Sequence, residues 1–398
     1  MTNELFGPVS APDEHVRELA REHHLRLTKP TGALGRLEEL GVWVSACQGE
    51  CPPRALDDCR VIVFAGDHGI ARHGVSAYPA EVSIQMHANI VAGGAGVNAI
   101  ASTHGASVRS VDISLDHDVP ADGAGADSKD ARYRVRRASG SIDREDAMSD
   151  EEVRRALEIG IRLADEAVDE GADLLIAGDL GIGNTTISAT LIGAATGSEP
   201  VVVVGRGTGI DDEGWKRKTA AVRDAMFRVR RLRNDPVEVL RRASSPDIAA
   251  MAAFLAQAAV RRTPVILDGA VVTSAALFAD QLAPGARAWW VAGHRSAEPA
   301  HAIALKHLGL EPLLDYGMRL GEGSGAVAAL PMVKAAVSIL RDMSTFDSAG
   351  VSDKGSDSGT PAREPASSAA EAGADATVPS HGDRPGHREG GEQPSQRD

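Results

Sequence analysis

The sequence predicts an α/β fold, a parallel β-sheet flanked by helices, and three observations carry that expectation. Short β-branched runs alternate with longer helical segments, the order that builds a parallel sheet. Most of the runs are continuously apolar, as in strands covered on both faces. Several enter glycine directly, at Gly66-Asp67-His68-Gly69, Gly178-Asp179-Leu180-Gly181, Gly205-Arg206-Gly207-Thr208-Gly209, Asp268-Gly269 and Gly293-His294. Ligands of such sheets collect at the carboxyl ends of the strands, so these turns are expected along one edge and around one site.

Taken in order, the chain opens with Pro12–Leu27, a helical pattern without strands. Candidate strands follow at Val61–Ala65, Val108–Ile113, Leu174–Ala177, Val201–Val204, Val265–Leu267 and Trp289–Ala292. Asp247–Arg262 and Ala270–Gln281 read as helices, and Ser324–Met343 as a last helix in which Pro331 is set to introduce a kink. The two terminal helical segments belong together in a small lobe. The expected organisation is an N-terminal helical segment over 1–55, an α/β nucleotide-binding domain over 56–310, and a C-terminal segment over 311–345 that returns to the small lobe. The tail over 346–398 carries ten acids and five bases, with no aromatic residue after Phe346, and cannot bury enough apolar surface to offset chain entropy. It is expected to be disordered, and Asp116–Asp130 is expected to be a polar surface loop.

The chain has 398 residues, 43% of them hydrophobic but only 3% aromatic, so Ala, Val, Leu and Ile must fill a large core. A formal net charge of −14 disfavours nucleic acid, whose binding rests on a basic face. Cys47, Cys51 and Cys59 form no disulfide framework and lack zinc spacing, which points to reduced thiols in a cytoplasmic protein. Met1–Glu14 lacks the basic and apolar regions of a signal peptide. No stretch approaches 18 apolar residues without charges, so no membrane partner is expected.

The most informative motif is Ala177-Gly178-Asp179-Leu180-Gly181-Ile182-Gly183-Asn184-Thr185-Thr186, directly after the apolar run Leu174–Ile176. It comes within one residue of a Walker phosphate loop, with Asn184 where the Lys must be. Such a turn presents backbone N–H groups to a phosphate at a helix N-terminus, and without the Lys it suits a monophosphate. A tight βα turn with no ligand is the plainer alternative. Gly205–Gly209 is a second glycine loop, and Lys218 follows it closely enough to meet a phosphate or simply to be a solvated lysine. Gly66–Gly69 repeats the Gly-Asp-x-Gly pattern, but its Asp67-His68 pair has no further ligands at metal spacing. Glu322 lies in Leu320-Gly321-Glu322-Gly323-Ser324-Gly325, before an apolar helix. There it either complements the helix dipole or, buried, becomes a base near neutral pH.

Together these motifs resemble one family. Lys29-Pro30-Thr31-Gly32-Ala33-Leu34-Gly35-Arg36-Leu37-Glu38 is similar to its amino-terminal signature, as are Gly66–Gly69 and Gly74-Val75-Ser76-Ala77-Tyr78-Pro79 with Glu81-Val82 and Gln85-Met86. Gly181–Thr186, Gly205–Gly209, Leu267-Asp268-Gly269, Gly293-His294-Arg295-Ser296-Ala297-Glu298-Pro299 and Arg319–Gly325 complete the match, which spans roughly residues 20–343. The family is nicotinate-nucleotide–dimethylbenzimidazole phosphoribosyltransferase. The resemblance implies a Rossmann-like sheet, a cytoplasmic homodimer without cofactor or metal, and a role in cobalamin lower-ligand assembly. It implies nicotinate mononucleotide and a benzimidazole-type base as substrates.

Roles carry over by position as the resemblance implies them. Glu322 matches the general base, and Asp179 stands where the family usually has an assisting Glu. Tyr78, Gln85, Met86 and Leu320 match the benzimidazole pocket. Gly181, Gly183, Asn184, Thr185, Gly205, Gly207, Lys218 and Ser296 match phosphate and ribose contacts, while Asp268 fits a ribose-hydroxyl or structural acceptor. Asp179 is one methylene short of the usual residue, Ala33 replaces the usual Ser, and Ile142–Ala147 departs from a more basic version. A catalytically altered nucleotide-binding regulator, and a transferase with another acceptor base, are the competing readings. A P-loop kinase is opposed by Asn184.

Overall fold

The computed structural model describes residues 5–118 and 131–352. The described residues up to Val351 form one compact unit. After α1 (Glu14–Arg26) and α2 (Arg36–Gln48), the chain enters β1 (Cys59–Gly66). It continues through α3 (Val82–Val91), α4 (Gly96–His104), β2 (Ala106–Ser114), α5 (Asp150–Asp169) and β3 (Leu174–Leu180). Four helices follow: α6 (Asn184–Thr196), α7 (Pro200–Val203), α8 (Asp212–Val229) and α9 (Pro236–Ala243). Then come α10 (Pro246–Val260), β4 (Val265–Leu267), α11 (Ala270–Leu282), β5 (Trp290–His294), α12 (Pro299–Leu308), β6 (Pro312–Leu314), α13 (Ser324–Asp342) and α14 (Phe346–Ala349).

The six strands form one parallel sheet in the order β2-β1-β3-β4-β5-β6. The chain first steps from β1 to β2, then returns past β1 to β3, so the topological switch lies between β1 and β3. A crevice opens at such a switch, outside the carboxyl ends of the strands. β1 is buried almost end to end because helices cover the sheet. α10 packs on β1–β3 and is buried over Pro246–Ala259, with Phe254 edge-on to Phe64 of β1. α5 lies against α10 closely enough that a Cβ at Gly160 would collide with the Ala250 carbonyl. α13 packs on β3–β6, and its far end joins α1 and α2 around Ala20, Leu27, Val42 and Leu340. α13 is long and apolar enough to cross a membrane, but ten of its nineteen residues are buried in the protein, as in a core helix.

Three sequence expectations need correction. Val201–Val204 is not a strand: Pro200–Val203 forms a helical turn, with Pro200 at its first position and Val201 and Val202 exposed. Proline is pre-organised for that place, and it outweighs three β-branched neighbours that have no sheet to join. β6 escaped notice because it has three half-buried residues and begins with Pro312, which only an edge strand tolerates. The folded chain also runs past 345, since Thr345 caps α14 by accepting the Ser348 N–H. The rest of the tail (353–398) and most of the expected polar loop (119–130) lie outside the described residues.

Candidate active site

The turn after β3 is built by close backbone approach. A Cβ at Gly181 would meet the Gly66 carbonyl and sit 2.7 Å from Cε1 of His68. Gly183, at φ 99°, turns the chain into α6. Several turn amides are already satisfied: Ile182 donates to Ser83 Oγ (3.0 Å), Thr185 to Asn184 Oδ1 (2.7 Å) and Thr186 to the Gly183 carbonyl (2.9 Å). Asn184 Nδ2 also donates to Asp179 Oδ2 at 2.6 Å. The residue in the Walker Lys position is therefore an internal tie.

The cation arrives from elsewhere. Lys218 of α8 donates from Nζ to Thr185 Oγ1 at 2.8 Å, and the ammonium would be 3.1 Å from a Cβ on Gly207. It is buried and, among the described residues, forms no ion pair. Burial lowers its pKa to about 8, with the Glu298 carboxylate opposing the shift. A buried ammonium without a carboxylate partner is costly unless an anion joins it. The Gly205–Gly209 loop leaves α7, not a strand, yet still closes on this point. Glu298 Oε1 accepts the Gly207 N–H (3.0 Å), and Arg319 donates to the Gly207 carbonyl (2.6 Å). Thr208 Oγ1 accepts the Ala77 N–H (2.9 Å) and meets Ser76 Oγ (3.1 Å), which brings the loop carrying Tyr78 beside it.

Glu322 lies against the end of β3. It has φ 62°, a left-handed conformation rare for a side chain of this kind, between Gly321 and Gly323, which are also left-handed. The turn presses on β3: a Cβ at Gly178 would lie 2.5 Å from the Glu322 carbonyl carbon. The Glu322 N–H donates to the Asp179 carbonyl (3.1 Å), and Oε2 accepts the Val97 N–H (3.2 Å). Burial raises its pKa above the ordinary value for a glutamate; the Val97 bond opposes this and the Asp268 charge adds to it. Asp179 is also buried, and its carboxyl is pushed up to about 8 by burial, then by Asp268 and Asp247.

Asp268 lies at the end of β4 and is hydrogen-bonded to the backbone. Its oxygens accept the N–H groups of Gly323 (3.2 Å), Gly325 (2.8 Å) and Ala326 (2.9 Å), fixing the start of α13 and hence the Glu322 turn. Ser296 is held by its amide, which donates to Nδ1 of buried His301 at 2.9 Å. Tyr78, Gln85 and Leu320 are exposed, and Met86 is half-buried against the core. Leu320 reaches the same place as the Glu322 carboxylate: a Cβ at Gly96 would lie 2.7 Å from Leu320 Cδ2 and 3.7 Å from Glu322 Oε2. Gly96, Val97, Ser83 and Glu298 were absent from the expected site. The run Ala92-Gly93-Gly94-Ala95-Gly96-Val97 before α4 was the signal available for the first two. No group of three His, Cys, Asp or Glu among the described residues could hold a metal.

A phosphoribosyltransferase family profile matches residues 9–351. A nicotinate-nucleotide–dimethylbenzimidazole phosphoribosyltransferase from Corynebacterium efficiens is 64% identical over 348 residues, 87% of this chain and 92% of that protein. The chain belongs to the nicotinate-nucleotide–dimethylbenzimidazole phosphoribosyltransferase family. A second phosphoribosyltransferase of that name, from Mycolicibacterium paratuberculosis, is 62% identical over 87% of this chain and 98% of its own length. CobT from Thermus thermophilus shares the fold, with a TM-score of 0.79 at 42% identity, covering 85% of this chain and 99% of that one. Within this phosphoribosyltransferase the amino-terminal signature is pinned by Lys29, whose ammonium donates to Glu38 at 2.8 Å, both side chains largely buried. The divergent segment Ile142–Ala147 is fastened by Asp146, which pairs with Arg241 at 2.8 Å.

Proposed function

We propose that this phosphoribosyltransferase moves the phosphoribosyl group of nicotinate mononucleotide onto 5,6-dimethylbenzimidazole, giving α-ribazole 5′-phosphate and nicotinate for cobalamin lower-ligand assembly. The observation that carries the reading is Glu322: a buried carboxyl of raised pKa, set beside exposed Leu320 at the sheet edge. Benzimidazole is a flat apolar ring with one acidic N–H, and such a base beside an apolar surface suits it.

Glu322 accepts the N–H proton while the other ring nitrogen attacks the anomeric carbon. The bond from that carbon to the pyridinium nitrogen breaks, and its electron pair neutralises the departing nicotinate. Displacement from the opposite face inverts the anomeric centre. The leaving group already carries its positive charge, so no acid has to protonate it. Lys218 with Thr185 receives the 5′-phosphate, and the loops at Gly181–Gly183, Gly205–Gly207 and Ser296 bound the ribose. Tyr78, Gln85 and Met86 line the ring's pocket with Leu320. The chain works as a cytoplasmic homodimer, and its charge of −14 suits neither nucleic acid nor an anionic membrane.

Incubating the protein with both substrates and following free nicotinate and α-ribazole 5′-phosphate tests the reaction. Glu322→Gln is expected to keep nucleotide binding and to lose about 10²-fold or more in turnover, the contribution of a positioned base. Unchanged turnover would remove Glu322 from that role.

A further inference from the structure

The Gly-Asp-His-Gly turn after β1 has no part in the reaction as set out so far, yet its histidine meets Gly181, Ile182 and Gly183 of the glycine turn after β3. His68 is fully buried, and its ring packs under Gly181. Its Cβ would be 3.4 Å from a Cβ on Gly183. Nδ1 lies 3.0 Å from the Ile182 carbonyl oxygen, and Nε2 lies 3.3 Å from Asp247 Oδ2 at the start of α10.

Both contacts are with acceptors. A carbonyl oxygen and a carboxylate oxygen each need a proton from the ring, and a neutral imidazole has only one N–H to give. We infer that His68 is held as an imidazolium by Asp247 and acts as a positioning residue, clamping the Ile182 carbonyl so that the Gly181–Thr185 turn is preset for the phosphoribosyl group. The inference rests on the assignment of that turn to the substrate.

The electrostatics agree with the geometry. Burial works against the charged ring, but the Asp247 charge and hydrogen bond, the Ile182 carbonyl and Asp67 together raise the pKa of His68 above its usual value. Asp247 faces the ring from α10 and Asp67 from the ring's own loop; among the described residues, no cation pairs with it from β3 or α6. Asp247 Oδ1 makes no hydrogen bond among the described residues, and the contact of Oδ2 is with His68. The loop under the ring is itself fixed, since Asp67 donates its N–H to the Ser114 carbonyl (3.0 Å) and Gly69 donates to that of Ser139 (3.1 Å). The result is a buried imidazolium beneath the turn, paired by a carboxylate at the start of α10.

Ring-nitrogen NMR of the histidine-labelled full chain at pH 8, without substrate, reads the protonation directly. One histidine should show both nitrogens protonated, and that signal should vanish in Asp247→Asn. A neutral tautomer for His68 at that pH overturns the inference. Binding gives the functional half. Asp247→Asn, which keeps the shape of the side chain, should weaken nicotinate mononucleotide about tenfold while dimethylbenzimidazole binds as before. His68→Ala should weaken the nucleotide at least as much. A loss shared equally by both ligands would mean general damage and would refute a positioning role. Lys218→Met is the control on the site itself: if it binds the nucleotide normally, the assignment of the turn fails whatever the state of His68.

Discussion

Replacing Gly178 by alanine sets two expectations against each other. Glycine inside a strand costs about 0.5–1 kcal/mol relative to alanine, so local propensity alone predicts a more stable protein. The structure predicts the reverse. The new Cβ would lie 2.5 Å from the Glu322 carbonyl carbon and 2.8 Å from the Gly323 nitrogen, where real Cβ atoms essentially never come within 3.0 Å. These neighbours, and the Glu322 carbonyl oxygen, which is nearer still, are all backbone, so no side chain can swing away, and the turn must retreat by about 0.6 Å to reach even that limit. Overpacking of this kind costs about 1–3 kcal/mol, which more than cancels the propensity gain. The retreat also carries Glu322 with it. A displacement of about 1 Å near the chemistry can cost 10²-fold, so half of that is worth about tenfold in turnover. Thermal melting and the transfer assay, run on the same preparation, read both effects. A melting temperature equal to or above that of the parent chain, with turnover within twofold, would refute the contact between β3 and the Glu322 turn.

Three further outcomes follow from the geometry. Nucleotide binding to the free enzyme should weaken as pH rises through about 8, where Lys218 loses its charge, and Lys218→Met should bind weakly with that limb of the profile gone. Asp179 has a folded-state pKa raised to about 8, so its contribution to stability is full below about 4 and is lost as pH rises towards 8. Asp179→Asn should therefore melt higher than the parent at pH 8.5, with the gap closing at low pH; a constant gap would contradict the shift. Gly160→Ala, far from the site, forces α5 off the Ala250 carbonyl of α10 and should lower stability by about 1–3 kcal/mol in denaturant unfolding without changing turnover per folded molecule.

The readable parts of this chain were those in which a local rule decides the outcome. Continuous apolar runs leading into glycine, directly or one residue on, located β1, β3, β4 and β5, while β2 was found from its alternating Val108, Val111 and Ile113. Val201–Val204 misled for the same reason in reverse: its side chains match a strand, and only the absence of a sheet partner and the presence of Pro200 decide otherwise. Asn184 showed that no Walker lysine was present, but not that it would bind Asp179, nor that Lys218 would approach from α8. Asp268 was legible as an acceptor at a strand end, while its use on the amides of α13 is a product of packing. The contact of Val97 with Glu322, 225 residues away, leaves no trace in either local sequence. Nor does the pairing of His68 with Asp247 across 179 residues.

The mounting of Glu322 has a mechanical consequence. The turn that presents it is the head of α13, a rod of nineteen residues and so about 28 Å long, whose foot is seated among α1 and α2. The helix is gripped along the sheet on either side of Pro331, so a displacement at Leu340 is passed along it towards Glu322. Substitutions among the terminal helices, which touch no substrate, are thereby connected to the speed of the chemical step.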